Sequence, residues 1–415
     1  MGRHIAANAL TLIIVGLVLL GGVLGWAQRE FSGEGPLESA MCLRVDRGST
    51  LLAVSRDLEA HGAISSGTIF RIGARYTEKA DQLRFGSYIL PEGASMQQIL
   101  ETITTPSAEE CADEIIYRIG VTTVRMDVRV FDDATQRAVP LLSVGSGGVA
   151  FPEAAQPAEE VLQAVRAVED LRETDLDTIR EIVRLVRPNA SIDEGRIQVV
   201  VAEGTTVWQV VEALNRAEFL TGEVSGLPPE GLLAPGSYET RRGAERAALL
   251  AEMQARQERI LAQLWDQRVG GLPVSTPEEA LILASIIEKE TSVPDERGKV
   301  ASVFVNRLRL PMRLQTDPTV IYGITLGRGT LGRGLRQSEL RGATPYNTYV
   351  IDGLPPTPIA NPGRASIAAA LNPDDTPYLY FVADGTGGHA FATNLADHNR
   401  NVARWRQIEA ERRGN

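Results

Sequence analysis

The stretch Val199–Leu214, VVVAEGTTVWQVVEAL, decides the fold. Its β-branched run reads as a short strand, Gly204 marks a turn, and from Val207 the apolar residues recur at helical spacing. A hydroxyl residue at such a start, Thr205, can accept from the free backbone N–H groups of the first turn. The same pattern occurs earlier, in CLRVDRGSTLLAVSRDLEAHGAIS from Cys42 to Ser65. At a constant offset Val45 pairs with Val201, Gly48 with Gly204, Ser49 with Thr205, Thr50 with Thr206, Val54 with Val210 and Leu58 with Leu214. Both copies are followed by Gly-Ser-Tyr, at Gly86–Tyr88 and Gly236–Tyr238. A β-turn-α module used twice predicts an α+β fold, with Ser49 and Thr205 as helix caps.

The V-x-x-G-x-[TS] opening resembles LysM-like modules that bind N-acetyl sugars, and plain packing is the competing reading. Residues 42–112 and 196–270 are taken as the two modules. Between them, 113–195 reads as an insertion: β-rich from Glu114 to Val130, a glycine turn at Ser143–Gly148, a linker at Phe151–Glu160, and a charged amphipathic helix over Leu162–Val186 broken near Asp175. Cys42 and Cys111 bracket the first module, and a bridge between them is left open, because sequence separation does not set the Cα distance.

At the N-terminus, Ile5–Ala27 contains no charged residue and is long enough to span a bilayer as a single helix. Arg3 precedes it, while Glu30, Glu34 and Glu38 follow Arg29. That bias leaves residues 1–4 in the cytoplasm, 28–41 as a linker, and the bulk of the chain outside the inner membrane. A cleaved signal peptide, cut before Gln28, is the rival reading. With 42 Lys and Arg against 53 Asp and Glu, the formal charge is −11, so a nucleic-acid partner is not expected. Two cysteines cannot build a four-cysteine zinc site, His389 and His398 stand apart, and neither a metal nor an organic cofactor is expected.

The chemistry concentrates in residues 271–405, which are expected to form a mixed α/β catalytic domain ahead of a tail at 406–415. STPEEALILASIIEKET opens a helix with Thr276 as cap, Pro277 at its first position and Glu279 completing a capping box. On a helical wheel the apolar residues Ala280–Ile287 define one broad face, with Ser285 and Lys289 opposite. Glu290 lies about 50° from the centre of that face and Glu288 about twice as far. Partial burial of Glu290 raises a carboxyl pKa, which suits a general acid near neutral pH; a solvated or salt-bridged glutamate is the plain alternative. Further on, Gln315, Thr316, Asp317, Tyr346, Asn347, Thr348, Tyr349, Asn361, His389 and Asn394 supply amides, hydroxyls and flat rings in loop contexts, a set suited to a neutral polyhydroxylated ligand.

The blocks IIEKET (Ile286–Thr291), VASVFVNRLRLPMRLQTDPTVIYG (Val300–Gly323), TPYNTY (Thr344–Tyr349), GLPPTPIANPG (Gly353–Gly363) and YLYFVADGTGGHAFATNLADHN (Tyr378–Asn399) resemble, in order, the YceG-like family. The resemblance implies membrane-anchored lytic cleavage of the β-1,4 bond between N-acetylmuramic acid and N-acetylglucosamine in nascent peptidoglycan, leaving a 1,6-anhydro end. It implies glycan strands, the cytoplasmic membrane, peptidoglycan synthases and division proteins as partners. The second glutamate of the family's E-K-E motif is its catalytic residue, here Glu290. Glu288 and Asp317 are the nearby acids that could assist, as in a lysozyme-like hydrolase. Gln315, Thr316, Tyr346, Asn347, Tyr349, Asn361, His389 and Asn394 are taken as substrate contacts. A non-catalytic glycan-binding scaffold, with Glu290 only a cap or ion-pair partner, is the alternative from another class.

Overall fold

A computed structural model of the chain describes residues 2–45, 48–84, 86–105, 111, 113–132, 137–153, 156–166, 176–187 and 196–414. The chain divides into two compact units. One contains Met1–Glu114 and Arg129–Leu141, the other Ile115–Val128 and Leu142–Asn415.

The first unit begins with a long helix, α1 (Gly2–Ser32), so the expected linker starts later than residue 28. Its Leu17, Val18, Leu19 and Trp26 are all exposed. The side chains of residues 1–14 and 20, half of the expected anchor, lie outside the described residues. Among the described residues no helix is long and apolar enough to cross a membrane. Next come β1 (Met41–Val45), α2 (Leu51–Ala60), α3 (Gly67–Tyr76), β2 (Gly86–Leu90) and α4 (Met96–Thr104). Strands β1 and β2 pair antiparallel, and the helices close over Leu43, Val54, Leu58, Phe70, Leu90 and Ile99. Cys42 and Cys111 form a disulfide with their Cα atoms 5.7 Å apart.

The insertion contributes β3 (Glu114–Ile119), β4 (Val124–Asp132), β5 (Arg137–Gly145), β6 (Gly148–Ala150), α5 (Glu159–Arg166) and α6 (Leu176–Val186). The expected break near Asp175 falls in 167–175, outside the described residues. The second module follows as β7 (Arg196–Val201), α7 (Val207–Arg216), β8 (Leu220–Thr221), β9 (Gly236–Thr240), β10 (Ala244–Glu245) and α8 (Arg246–Asp266). Strands of the insertion and of the second module form one sheet in the order β6-β5-β4-β3-β7-β9.

The two modules repeat each other in detail. Val45 pairs with Gly86 and Val201 with Gly236, so each Gly-Ser-Tyr starts the return strand opposite the end of the first. Tyr88 donates its hydroxyl to Arg84 O, and Tyr238 to Ala234 O. Gly48 and Gly204 turn at φ of +82° and +78°, where glycine avoids the Cβ penalty. The caps are Thr50 and Thr206, one residue later than expected. Each has extended backbone and accepts a backbone N–H three residues on, so Ser49 and Thr205 lie outside the helix.

The remainder of the second unit is α9 (Pro277–Glu290), α10 (Arg297–Arg309), α11 (Asp317–Thr325), α12 (Gln337–Arg341), α13 (Arg364–Leu371), the hairpin β11 (Tyr380–Ala383) and β12 (His389–Ala392), and α14 (Leu395–Gly414). Helix α14 continues through the expected tail at 406–415 as far as Gly414. Helix α9 sits centrally, with core residues from α8, α10 and α13 around it. Every residue from Ala280 to Ile287 is buried, including Ser285, which the wheel put on the polar side. Ser285 Oγ donates to Ile282 O at 2.7 Å and accepts the N–H of Ile359 at 3.0 Å, which lets a hydroxyl sit in the core.

Candidate active site

Thr276 caps α9 by accepting the N–H of Glu279 at 3.2 Å, while the Glu279 carboxylate reaches back to the N–H of Ser275 at 2.6 Å. With its start pinned and its middle buried on all sides, the helix comes out of the core again at its last turn. There the charges diverge. Glu288 accepts the N–H of Gly363 at 2.9 Å, the residue capping α13, and Lys289 donates to Gly204 O at 3.2 Å. Glu290 turns instead into a cleft of about 520 Å³. Gln315, Thr316, Asp317 and Tyr349 line one side of the cleft, and Arg307, Tyr380, Phe381, His389 and His398 also border it. Glu288 does not line this cleft.

The cleft raises the pKa of Glu290. Burial is the main cause and the charge of Asp317 adds to it, whereas the hydrogen bond from Thr316 and the charges of His389 and Arg307 oppose it. Thr316 Oγ1 donates to Glu290 Oε1. Its backbone is held by Thr348 Oγ1, which accepts the N–H of Thr316 at 3.0 Å. Thr319 Oγ1 completes the buried group, 2.9 Å from Thr348 Oγ1 and donating to Thr316 O at 2.8 Å. Gln315, just before, has φ of +50°, a left-handed conformation that costs a non-glycine residue energy and that clusters at functional sites.

On α10, Arg307 is buried and ties the hairpin to the helix. Its Nε donates to Leu379 O at 2.7 Å and its Nη1 to Leu314 O at 2.8 Å. The guanidinium lies 5.2 Å from the centre of the Tyr380 ring, and His398 stacks on the same ring at 5.1 Å. His398 Nδ1 is buried without a hydrogen-bond partner among the described residues, and burial, aided by the charge of Arg307, lowers its pKa.

Of the expected substrate contacts, Gln315, Thr316, Tyr349 and His389 line the cleft. The others hold the fold. Asn347 is fully buried and donates to the carbonyls of Glu339, Leu340 and Gly342. Asn361, also fully buried, bridges Thr205 O and the N–H of Leu233. Tyr346 hydrogen-bonds Thr357 and leans on Tyr322, and Asn394 accepts the N–H of Asp397 at the start of α14. Arg307, Tyr380 and His398 also border the cleft but do not stand among the expected contacts. A cation inside the apolar run VFVNRL was the available signal for Arg307, because an arginine on a buried helix face needs partners. Among the described residues no three His, Cys, Asp or Glu side chains gather as a metal site.

A half-buried acid above a cleft of hydroxyls, aromatic rings and imidazoles defines a site for acid–base chemistry on a polar ligand. The profile of the YceG-like family matches residues 173–404, and the chain belongs to that family. It is 38% identical over 173 residues to a Bacillus subtilis protein named endolytic murein transglycosylase, a match covering 42% of this chain and 47% of that one. A Streptococcus pneumoniae protein of the same name is 26% identical over 412 residues, covering 96% of this chain and 65% of its own length. The chain thus spans less than two thirds of either relative. A crystal structure of a yceG-like protein from Listeria monocytogenes aligns over 87% of this chain and 98% of that one, at 24% identity and a TM-score of 0.39.

Proposed function

We propose that the chain is a lytic transglycosylase of peptidoglycan, cutting the β-1,4 bond between N-acetylmuramic acid and N-acetylglucosamine within glycan strands. The observation that carries this reading is the Glu290 carboxyl, set in the cleft with a raised pKa and one oxygen engaged by Thr316. With Oε1 taken by the threonine hydroxyl, Oε2 is the oxygen that carries the acid proton. Glu290 gives it to the departing O4 of N-acetylglucosamine. The C6 hydroxyl then attacks C1 and gives up its hydrogen to a base in the cleft, which closes the 1,6-anhydro ring without water. Gln315, Tyr349 and His389 are read as contacts to the sugar. The names of the Bacillus and Streptococcus relatives support the substrate class.

The apolar run Ile5–Ala27 is read as a single-pass anchor holding the enzyme at the outer face of the cytoplasmic membrane, and the exposed Leu17, Val18 and Leu19 of α1 support this. Exported reporter fusions on either side of the run test it, and a cytoplasmic reporter signal after residue 28 would reject it. The β-turn-α modules are read as LysM-like units along the glycan path. Synthases and division proteins are the membrane partners this placement calls for.

The test is digestion of purified peptidoglycan by the protein and by Glu290→Gln, with mass spectrometry of the released glycans. Products lighter by one water than hydrolytic ones, and a loss of rate of about 10²- to 10⁴-fold in the variant, are expected. Reducing ends would point instead to hydrolysis, for which Asp317, on the same cleft, is the second carboxylate. Binding without release, unchanged in the variant, would leave only a scaffold.

A further inference from the structure

The loop GTGGHAF, Gly385–Phe391, brings His389 to the cleft, and one of its glycines is shaped around an acid from outside the hairpin. A Cβ on Gly388 would lie 2.6 Å from Glu296 Oε1, nearer than real Cβ atoms come, so a side chain there would displace the carboxylate from this position. Glu296, in the short turn Pro294–Glu296 between α9 and α10, then holds His389 twice. Its Oε1 accepts the backbone N–H of His389 at 2.9 Å, and its Oε2 is 2.7 Å from the ring Nδ1. The two side chains are only 15% and 17% exposed, and the ring packs edge-on against Phe381.

A carboxylate can only accept, so Nδ1 carries the hydrogen of this contact, and whenever the ring is neutral the lone pair is left on Nε2. We propose that Glu296 and His389 form a second proton-accepting element beside Glu290, with Glu296 the positioning residue and His389 Nε2 receiving the hydrogen of the sugar's C6 hydroxyl. The inference rests on the transglycosylase reading. In this scheme Glu290 gives its proton to O4 as the C1–O4 bond breaks. O6 bonds to C1 and its hydrogen passes to Nε2, leaving an imidazolium balanced by the Glu296 carboxylate. Solvent then carries that proton from Nε2 to the Glu290 carboxylate, and both groups are restored. Glu296 contacts the ring, Asp384 lies in the same hairpin, and Glu290, Asp317, Arg307 on α10 and His398 on α14 line the same cleft.

The test reads the tautomer and the kinetics separately. Nitrogen NMR of the full chain in detergent, labelled at histidine and assigned against His389→Gln, should show the neutral ring protonated at Nδ1 and bare at Nε2. Glu296→Gln replaces one accepting oxygen with a donor, so the ring keeps its Nδ1 hydrogen bond as a donor only if the backbone bond is given up, and otherwise its hydrogen moves to Nε2. We expect a mixed tautomer and kcat lower by about 10- to 100-fold with KM little changed. A wild-type ring protonated at Nε2, or a Glu296→Gln enzyme with unchanged kcat, overturns the inference. Glu290→Gln, assayed in parallel, separates the two failures. If it is inactive while Glu296→Gln is unaffected, only the dyad falls; if it is active, the transglycosylase reading itself falls.

Discussion

Tyr349 donates its hydroxyl to Asp317 Oδ1 at 2.7 Å, so the cleft's second carboxylate is tethered to the TPYNTY turn. Burial, and then that bond, push the Tyr349 phenol well above its usual range. A tethered carboxylate suits a structural and electrostatic part better than that of a free nucleophile. Asp317→Asn should therefore keep the anhydro product and lose less than about 10-fold in rate, against the 10²-fold or more expected of a residue doing proton transfer. Removing its charge also takes away one cause of the raised Glu290 pKa, so the basic limb should move to lower pH. Rates and product masses across pH check both.

Thr316→Val makes the opposite change. The threonine hydroxyl favours the charged form of Glu290, and its loss should raise that pKa further. The fall in activity at high pH should then begin later than in the wild type, and Thr316→Ser should restore the original profile. An unshifted limb would show that Glu290 is not the group titrating there.

Cys42→Ser should weaken the first unit. Opening a bridge over a sequence separation of 69 costs about 4 kcal/mol in the chain-entropy account. The site residues belong to the second unit, so activity on soluble glycan at 25 °C should persist while the first unit melts earlier. Calorimetry with and without reductant measures this.

Arg246 tests an arginine's shape rather than its charge. Buried beyond the end of α7, it donates to Leu214 O at 2.6 Å and also to the carbonyls of Asn215, Ala217 and Gly222. Lysine keeps the charge but not the planar fork, so Arg246→Lys should lower stability by about 2 kcal/mol in urea unfolding.

Local chemistry was the legible part of this chain. A glycine turn, a hydroxyl cap and a period of 3.6 identified both modules, although two adjacent hydroxyls, Ser49 and Thr50, do not declare which one takes the extended backbone of the cap. The wheel directed attention to Glu290 but misread Ser285, because a wheel assumes one buried face and α9 is enclosed on every side. Asn347 and Asn361 looked like ligand amides for a comparable reason: an amide binding buried carbonyls and one binding a sugar carry the same sequence signature. Arg307, Tyr380 and His398 could not be grouped at all, since only tertiary packing stacks a residue of α10 and one of α14 on the same hairpin tyrosine.

The sheet order carries a kinetic consequence. The first module's strands and helices are consecutive in the chain, whereas β3 must wait for β7, made after the whole insertion, before the larger sheet can close. Loop closure over such a span slows the search for native pairing. Refolding should thus be biphasic, with the first module gaining protection from hydrogen exchange ahead of β3 and β7, and a pulse-labelling experiment would show that order. During vectorial synthesis, β3 then waits as an unsatisfied sheet edge, the stage at which this chain is most exposed to mispairing with another copy of itself.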